Sequence, residues 1–199
     1  MRKTSDPILC LASVSPRRQE LLAQIGVPHT VVGAHIDETV LPNEAPREYV
    51  ARMARQKALA VRAKGEVLPV LAADTTVVLD EVIFGKPQGR ADGIAMLGRL
   101  SGRTHQVLTA VGLSVGNDVS LSVSTSEVRF RPLLPEECAA YWDTGEPHDK
   151  AGGYAIQGRG AVFIEWLSGS YSGVMGLPLF ETAELLQAAG VPCWYGGSR

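Results

Sequence analysis

Short, uninterrupted apolar runs alternate along this chain with stretches in which apolar side chains recur every three or four residues. Residues 8–12 form such a run and predict a buried strand. The run leads through Ser13-Val-Ser-Pro-Arg-Arg18 to Leu21, Leu22 and Ile25, which share one helix face before Gly26 stops the helix. Residues 29–32 predict a second strand. Pro46 opens a longer helix with Val50, Met53, Ala54, Ala58 and Val61 as its apolar stripe. Residues 67–79 are extended and strongly apolar, with Asp74 as the interruption. Residues 91–100 are helical by pattern, and 105–115 with 119–130 predict two strands joined at Gly116-Asn117-Asp118, a hairpin signal. Residues 135–142 predict a helix, 150–160 a glycine-dense loop, 161–167 a strand, and 178–189 a last helix ended by Gly190.

No internal repeat, low-complexity tract or Pro/Ser-rich linker divides the pattern, so a single domain over residues 1–199 is expected. Strands and helices alternate early and strands cluster in the middle. The expected class is α/β, a mixed twisted sheet flanked by helices.

Composition narrows the function classes. The 199 residues are 45% hydrophobic and 20% charged, ordinary usage for a globular protein with a real core. A net charge of −2 and 6% aromatic residues offer neither a basic surface nor stacking platforms, so nucleic acid is not an expected partner. Cys10, Cys138 and Cys193 are odd in number and scattered, which fits neither a disulfide framework nor a metal knuckle and points to a reducing compartment. The apolar run at 8–12 is too short for a signal peptide or a membrane span, so a cytosolic protein without a membrane partner is expected.

Six places carry candidate chemistry. Ser15 is a natural N-cap and Pro16 a natural first helical residue, which puts Arg17 and Arg18 in a first turn that is already positive. With the Ser13 and Ser15 hydroxyls and free N–H groups, that turn suits a phosphate; two solvated arginines are the plainer alternative. Lys57 falls on the inward face of its helix and needs a partner there, unless its stem snorkels to water. Asp74, inside Val70-Leu-Ala-Ala-Asp-Thr-Thr-Val-Val78, cannot be buried ionised without a cation, a metal or several donors. Asp37-Glu38-Thr39 adds carboxylates of the kind that Mg²⁺ or Mn²⁺ shares with phosphate oxygens. Lys86 sits on a turn, and in the loop 149–158 the glycines allow close approach of a ligand while Gln157 offers a donor and an acceptor in one plane. A solvated lysine and a plain flexible turn are the alternatives for the last two.

Read in order, Ser13-Val-Ser-Pro-Arg-Arg18, Asp37-Glu38, Lys57, Ala73-Asp-Thr75, Gly85-Lys-Pro87, Asp149-Lys-Ala-Gly152 with Ile156-Gln-Gly158, and Gly176-Leu-Pro178 resemble the Maf family of nucleotide pyrophosphatases over nearly the whole chain. The resemblance implies a fold similar to the inosine triphosphate pyrophosphatases with an active-site cleft, a divalent metal cofactor, and a homodimer. It implies Asp74 as general base, Arg18, Lys57 and Lys86 as phosphate-binding cations, Ser13 in the substrate site, and Glu38 with Asp74 at the metal. Arg17, Thr75 and Gln157 resemble the branch that hydrolyses dTTP and UTP to the monophosphate and pyrophosphate. The branch acting on 7-methyl-GTP is similar but carries Glu where Gln157 stands. A nucleotide-binding regulator of cell division without turnover is the reading from another class, and Asp74 beside a phosphate clamp speaks against it. Gly153, Ala155 and Gly173 depart from the family pattern, and the ends 1–6 and 193–199 match nothing in it.

Overall fold

The computed structural model of the chain describes residues 6–116 and 118–194. Its elements are β1 (Leu9–Leu11), α1 (Pro16–Gln24), β2 (His29–Val31), α2 (Pro46–Arg62), β3 (Val70–Leu79), β4 (Val82–Phe84), α3 (Arg90–Leu100), β5 (Thr104–Val115), β6 (Asp118–Phe130), α4 (Pro135–Asp143), β7 (Ile164–Ser168), α5 (Tyr171–Met175) and α6 (Leu179–Ala188). The seven strands form one mixed sheet in the order β2-β1-β3-β5-β6-β7, with β4 paired to β3 off this path. The expected α/β class, a mixed sheet flanked by helices, is what the chain adopts.

Periodicity explains most of these elements. In α2 the buried positions are the predicted stripe, joined by Tyr49. In α1, Leu21 and Leu22 are buried and Gly26 leaves the helix at φ +68°, where an L side chain would be strained. Strand β3 alternates between two cores: Leu71 and Ala73 pack with α1 and α6 residues such as Leu22 and Leu186, while Ala72 and Val78 face α2 residues such as Ala58 and Met53. The β5–β6 hairpin is formed, with Val115 opposite Asp118; Asn117 lies outside the described residues.

Three local features differ from the sequence reading. The strand expected over 161–167 begins at Ile164, because residues Arg159–Phe163 form a 3₁₀ turn. Strand β4, with only three residues, was hidden next to a turn in which Asp80 and Glu81 take positive φ. Helix α5 lies in the glycine-rich run 169–178, for which the sequence pattern predicts no helix; Ser170 caps it through a bond from the Gly173 N–H.

One detail of pairing positions the site. Strand β1 pairs with β3 only at Val70 and Leu71, and β4 pairs only with Val77, Val78 and Leu79. Between these contacts residues 72–76 of β3 have β5 on one side and, among the described residues, no strand on the other. The middle of β3 is an open edge inside the sheet, and both of its faces can be reached from there.

Candidate active site

A cleft of about 510 Å³ occupies this gap, and Ser13, Arg17, Arg18, Glu38, Lys57, Asp74, Thr75, Lys86 and Gln157 all line it. Asp74 and Thr75 are neighbours on a strand and point to opposite faces. Both reach one cleft because the strand edge between β1 and β4 is open.

On the α2 face, Asp74 is only 8% exposed and Lys57 Nζ donates to its Oδ1 at 2.6 Å. The same ammonium lies 2.6 Å from Glu38 Oε1, so one cation is shared by two carboxylates. The inward Lys57 therefore has the partners its position demanded. Burial raises the Asp74 carboxyl above its usual range, against the opposing charge of Lys57 and Arg18. For Glu38 burial also pushes upward, but the hydrogen bond and charge of Lys57 outweigh it, with help from Lys86 and Arg18, and its pKa falls. Two carboxylates around one cation are thus pushed apart, one toward a base and one toward a permanent anion. Tyr49 closes this side by donating its hydroxyl to the Glu38 carbonyl at 3.1 Å; burial first, then Asp74 and Glu38, push the phenol up to about 12.

On the opposite face Arg18 binds three groups. Nε donates to the Gly176 carbonyl at 2.8 Å, Nη1 to Ser13 Oγ at 3.2 Å and Nη2 to Thr75 Oγ1 at 3.3 Å. Gly176 has φ +121°, which disfavours any L side chain, and its carbonyl thereby turns to the guanidinium. Ser15 occupies the N-cap of α1, yet its side chain makes no cap bond; the Ser13 hydroxyl accepts the Ser15 N–H instead. The first turn of α1 thus keeps N–H groups without a side-chain cap facing the cleft, beside two arginines.

The third wall is the segment between α4 and β7. Glu146 holds it: Oε1 accepts from the Tyr141 hydroxyl at 2.6 Å and the Gly160 N–H at 3.0 Å, and Oε2 from the Arg159 N–H at 2.9 Å. Lys150 donates to the Glu146 carbonyl and to Asp149 Oδ1. Asp149 reaches across the mouth to Arg17 at 3.6 Å. Gln157 stands exposed on this wall, while Gly152 brings the backbone against Val77, where a Cβ would lie 2.8 Å from a Val77 methyl.

Sequence reasoning passed over Tyr49, Thr109 and Glu146. Thr109, 1% exposed, donates to the Gly173 carbonyl at 2.7 Å and lies 3.0 Å from Thr75 Oγ1. Its signal was present, since a hydroxyl in the buried run Val107-Leu-Thr-Ala-Val111 is as anomalous as Asp74 in β3. Glu146 gave no such signal, because a glutamate after a helix end ordinarily faces water.

The donor set bears on a metal. Among the described residues no group of three His, Cys, Asp or Glu side chains could hold an ion alone. Glu38 and Asp74 nonetheless converge on one point, now the Lys57 ammonium, and two carboxylates so placed would fit a Mg²⁺ or Mn²⁺ ion, which prefers oxygen ligands.

The chain is similar to known proteins over nearly its whole length. Residues 8–189 match the Maf-like protein family. The dTTP/UTP pyrophosphatase of Methylococcus capsulatus is 53% identical over 194 residues, covering 95% of this chain and 94% of its own length. Those of Nitrosomonas europaea and Burkholderia pseudomallei are 52% and 51% identical, covering 91% and 94% of this chain and 94% and 96% of their own. Among solved structures, the Staphylococcus aureus Ham1 protein aligns with a TM-score of 0.46 and 16% identity over 61% of this chain and 71% of its own. With the ordered motifs gathered around one cleft and the match running through nearly the whole sequence, the chain belongs to the Maf family.

Proposed function

We propose that this protein is a nucleoside triphosphate pyrophosphatase that hydrolyses dTTP and UTP to the monophosphate and pyrophosphate. The observation that carries the reading is the buried carboxylate of Asp74, raised in pKa and paired with Lys57, in one open cleft that Arg18 lines from the opposite face. The names and near-complete coverage of the relatives supply the substrate class.

Arg18, Lys57 and Lys86 hold the phosphates, with Ser13 and the first turn of α1 completing the anion site. Asp74 accepts a proton from water, and the water oxygen bonds to the α-phosphorus as the bond to the bridging oxygen breaks. Pyrophosphate leaves with the electron pair. A raised carboxyl pKa suits this task, since a stronger base takes the proton more readily. Glu38 and Asp74 would hold the divalent metal, which supplies charge neutralisation at the phosphate oxygens.

Gln157, Thr75 and Arg17 select the nucleotide. Uracil and thymine present acceptor, donor and acceptor groups that an amide and a hydroxyl complement, whereas the donor-rich guanine edge suits a carboxylate. The resemblance also implies a homodimer, and Trp166, half exposed on the outermost strand β7, offers apolar surface for one; light scattering separates dimer from monomer. Among the described residues no helix is long and apolar enough to cross a membrane.

The test is pyrophosphate release from a panel of nucleoside triphosphates, including 7-methyl-GTP, with Mg²⁺, Mn²⁺ or chelator. Metal-dependent pyrophosphate from dTTP and UTP is expected, and Gln157→Glu is expected to lower that activity. Turnover of 7-methyl-GTP in preference to dTTP and UTP would place the chain in the other branch. Nucleotide binding without any turnover would make it a receptor.

A further inference from the structure

Strands β3 and β5 place Thr75 directly opposite Thr109, and their hydroxyls lie 3.0 Å apart. The Arg18 guanidinium stands at one end of this pair, 3.3 Å from Thr75 Oγ1, and the Gly173 carbonyl at the other, 2.7 Å from Thr109 Oγ1. A guanidinium only donates and a carbonyl only accepts, while each threonine hydroxyl has one proton to give. These end points fix the direction of the whole row. Arg18 donates to Thr75, Thr75 to Thr109, and Thr109 to Gly173. The reverse direction would need a proton on the carbonyl.

The Gly173 carbonyl also accepts the Gly176 N–H at 2.9 Å, so both of its lone pairs are taken. Thr109 is 1% exposed, so no water replaces these partners at its hydroxyl. Thr75 is only partly buried and lines the cleft. With its proton committed to Thr109 and one lone pair to Arg18, what it turns to a ligand is its second lone pair. Phosphate oxygens at neutral pH are acceptors and gain nothing from such a group. A ring N–H does.

We propose that Thr109 is a positioning residue that fixes the Thr75 hydroxyl as an acceptor, so that the site selects pyrimidine nucleotides bearing an N3–H over those whose N3 is itself an acceptor. This rests on the pyrimidine reading given above and deepens it. Uracil and thymine carry the N3–H. Cytosine presents a lone pair there, and N3-methyluracil presents a methyl group.

The experiment measures kcat/KM for UTP, CTP and N3-methyl-UTP with the wild-type protein, Thr109→Val and Thr109→Ser. The wild type is expected to prefer UTP over both analogues. Thr109→Val keeps the shape but frees the Thr75 proton to turn toward the ligand, and the UTP-to-CTP ratio is expected to fall about tenfold. Thr109→Ser keeps the relay and is expected to restore the ratio. Because both substrates meet the same enzyme sample, a partly unfolded variant changes both rates and leaves the ratio intact. An unchanged ratio in Thr109→Val, failure of Thr109→Ser to restore it, or a wild type that accepts N3-methyl-UTP as well as UTP overturns the proposal. Absence of UTP turnover in the wild type would refute the pyrophosphatase reading alone. The ratio of UTP to CTP affinity in equilibrium dialysis, lost in Thr109→Val or unchanged, would then support or overturn the role of Thr109.

Discussion

Asp74 carries the largest conflict between folding and function. Burial raises its carboxyl pKa, so the folded protein holds that proton more tightly than the unfolded chain does. Stability from this group is fully present below the ordinary aspartate pKa and is lost as pH rises through the raised one. Above that raised pKa the ionised side chain therefore costs folding free energy. Asp74→Asn is expected to abolish turnover and raise the melting temperature at pH 8, by about 2–4 °C for each kcal/mol relieved in a chain of this size. Calorimetry checks it, and a lower melting temperature would show that attraction to Lys57 outweighs burial. Lys57 lowers the Asp74 pKa by charge and hydrogen bond, so Lys57→Met is expected to move the acid limb of kcat/KM to higher pH. Residues at this scale were legible where they broke a pattern: Asp74 inside an apolar strand, Lys57 on an inward helix face, and arginines at a positive helix end. Thr109 broke a pattern equally but is small and neutral, and Tyr49 continued the apolar stripe, so neither stood out. Glu146 left no trace, because its partners are backbone N–H groups and a tyrosine that no spacing rule connects.

At the scale of elements, the helices with a clear 3.6-residue stripe and the long strands were readable, and the pieces missed were short. Strand β4 and helix α5 each depend on neighbours: β4 on pairing with β3, and α5 on the Ser170 cap and on Thr109 beneath it. Propensity alone cannot form segments of that length. The loop from Glu146 to Gly160 is likewise shaped by one side chain. Burial pushes the Glu146 carboxyl up, but the Tyr141 hydroxyl and the Arg159 and Gly160 N–H groups outweigh it and lower the pKa. That stability is present above the ordinary glutamate pKa and is lost as pH falls through the lowered one. Glu146→Ala is expected to loosen the wall bearing Gln157, raising KM for UTP about tenfold with a smaller change in kcat, as steady-state kinetics will show. In α3, Gly93 lies against the Trp142 ring, where an added Cβ would overlap it. Gly93→Ala, ordinarily favourable in a helix by about 0.5–1 kcal/mol, is here expected to destabilise, read as a lower denaturation midpoint.

For the whole molecule, the decisive feature is a sheet that leaves the middle of β3 uncovered on one edge. Strand order and the staggered ends of β1 and β4 create that gap, and neither is encoded in a local pattern. The sequence therefore pointed to side chains that line one cleft without showing why residues 74 and 75, on opposite faces, both reach it. In the proposed function the phosphates lie toward α1 and α2 and the base toward the loop carrying Gln157, all of which line the gap. In that arrangement water aligned by Asp74 attacks the α-phosphorus, and hydrolysis of UTP in ¹⁸O-labelled water tests the claim most directly. The account predicts one labelled oxygen in UMP and unlabelled pyrophosphate. Label in the pyrophosphate, or release of orthophosphate from the γ-position, would contradict it.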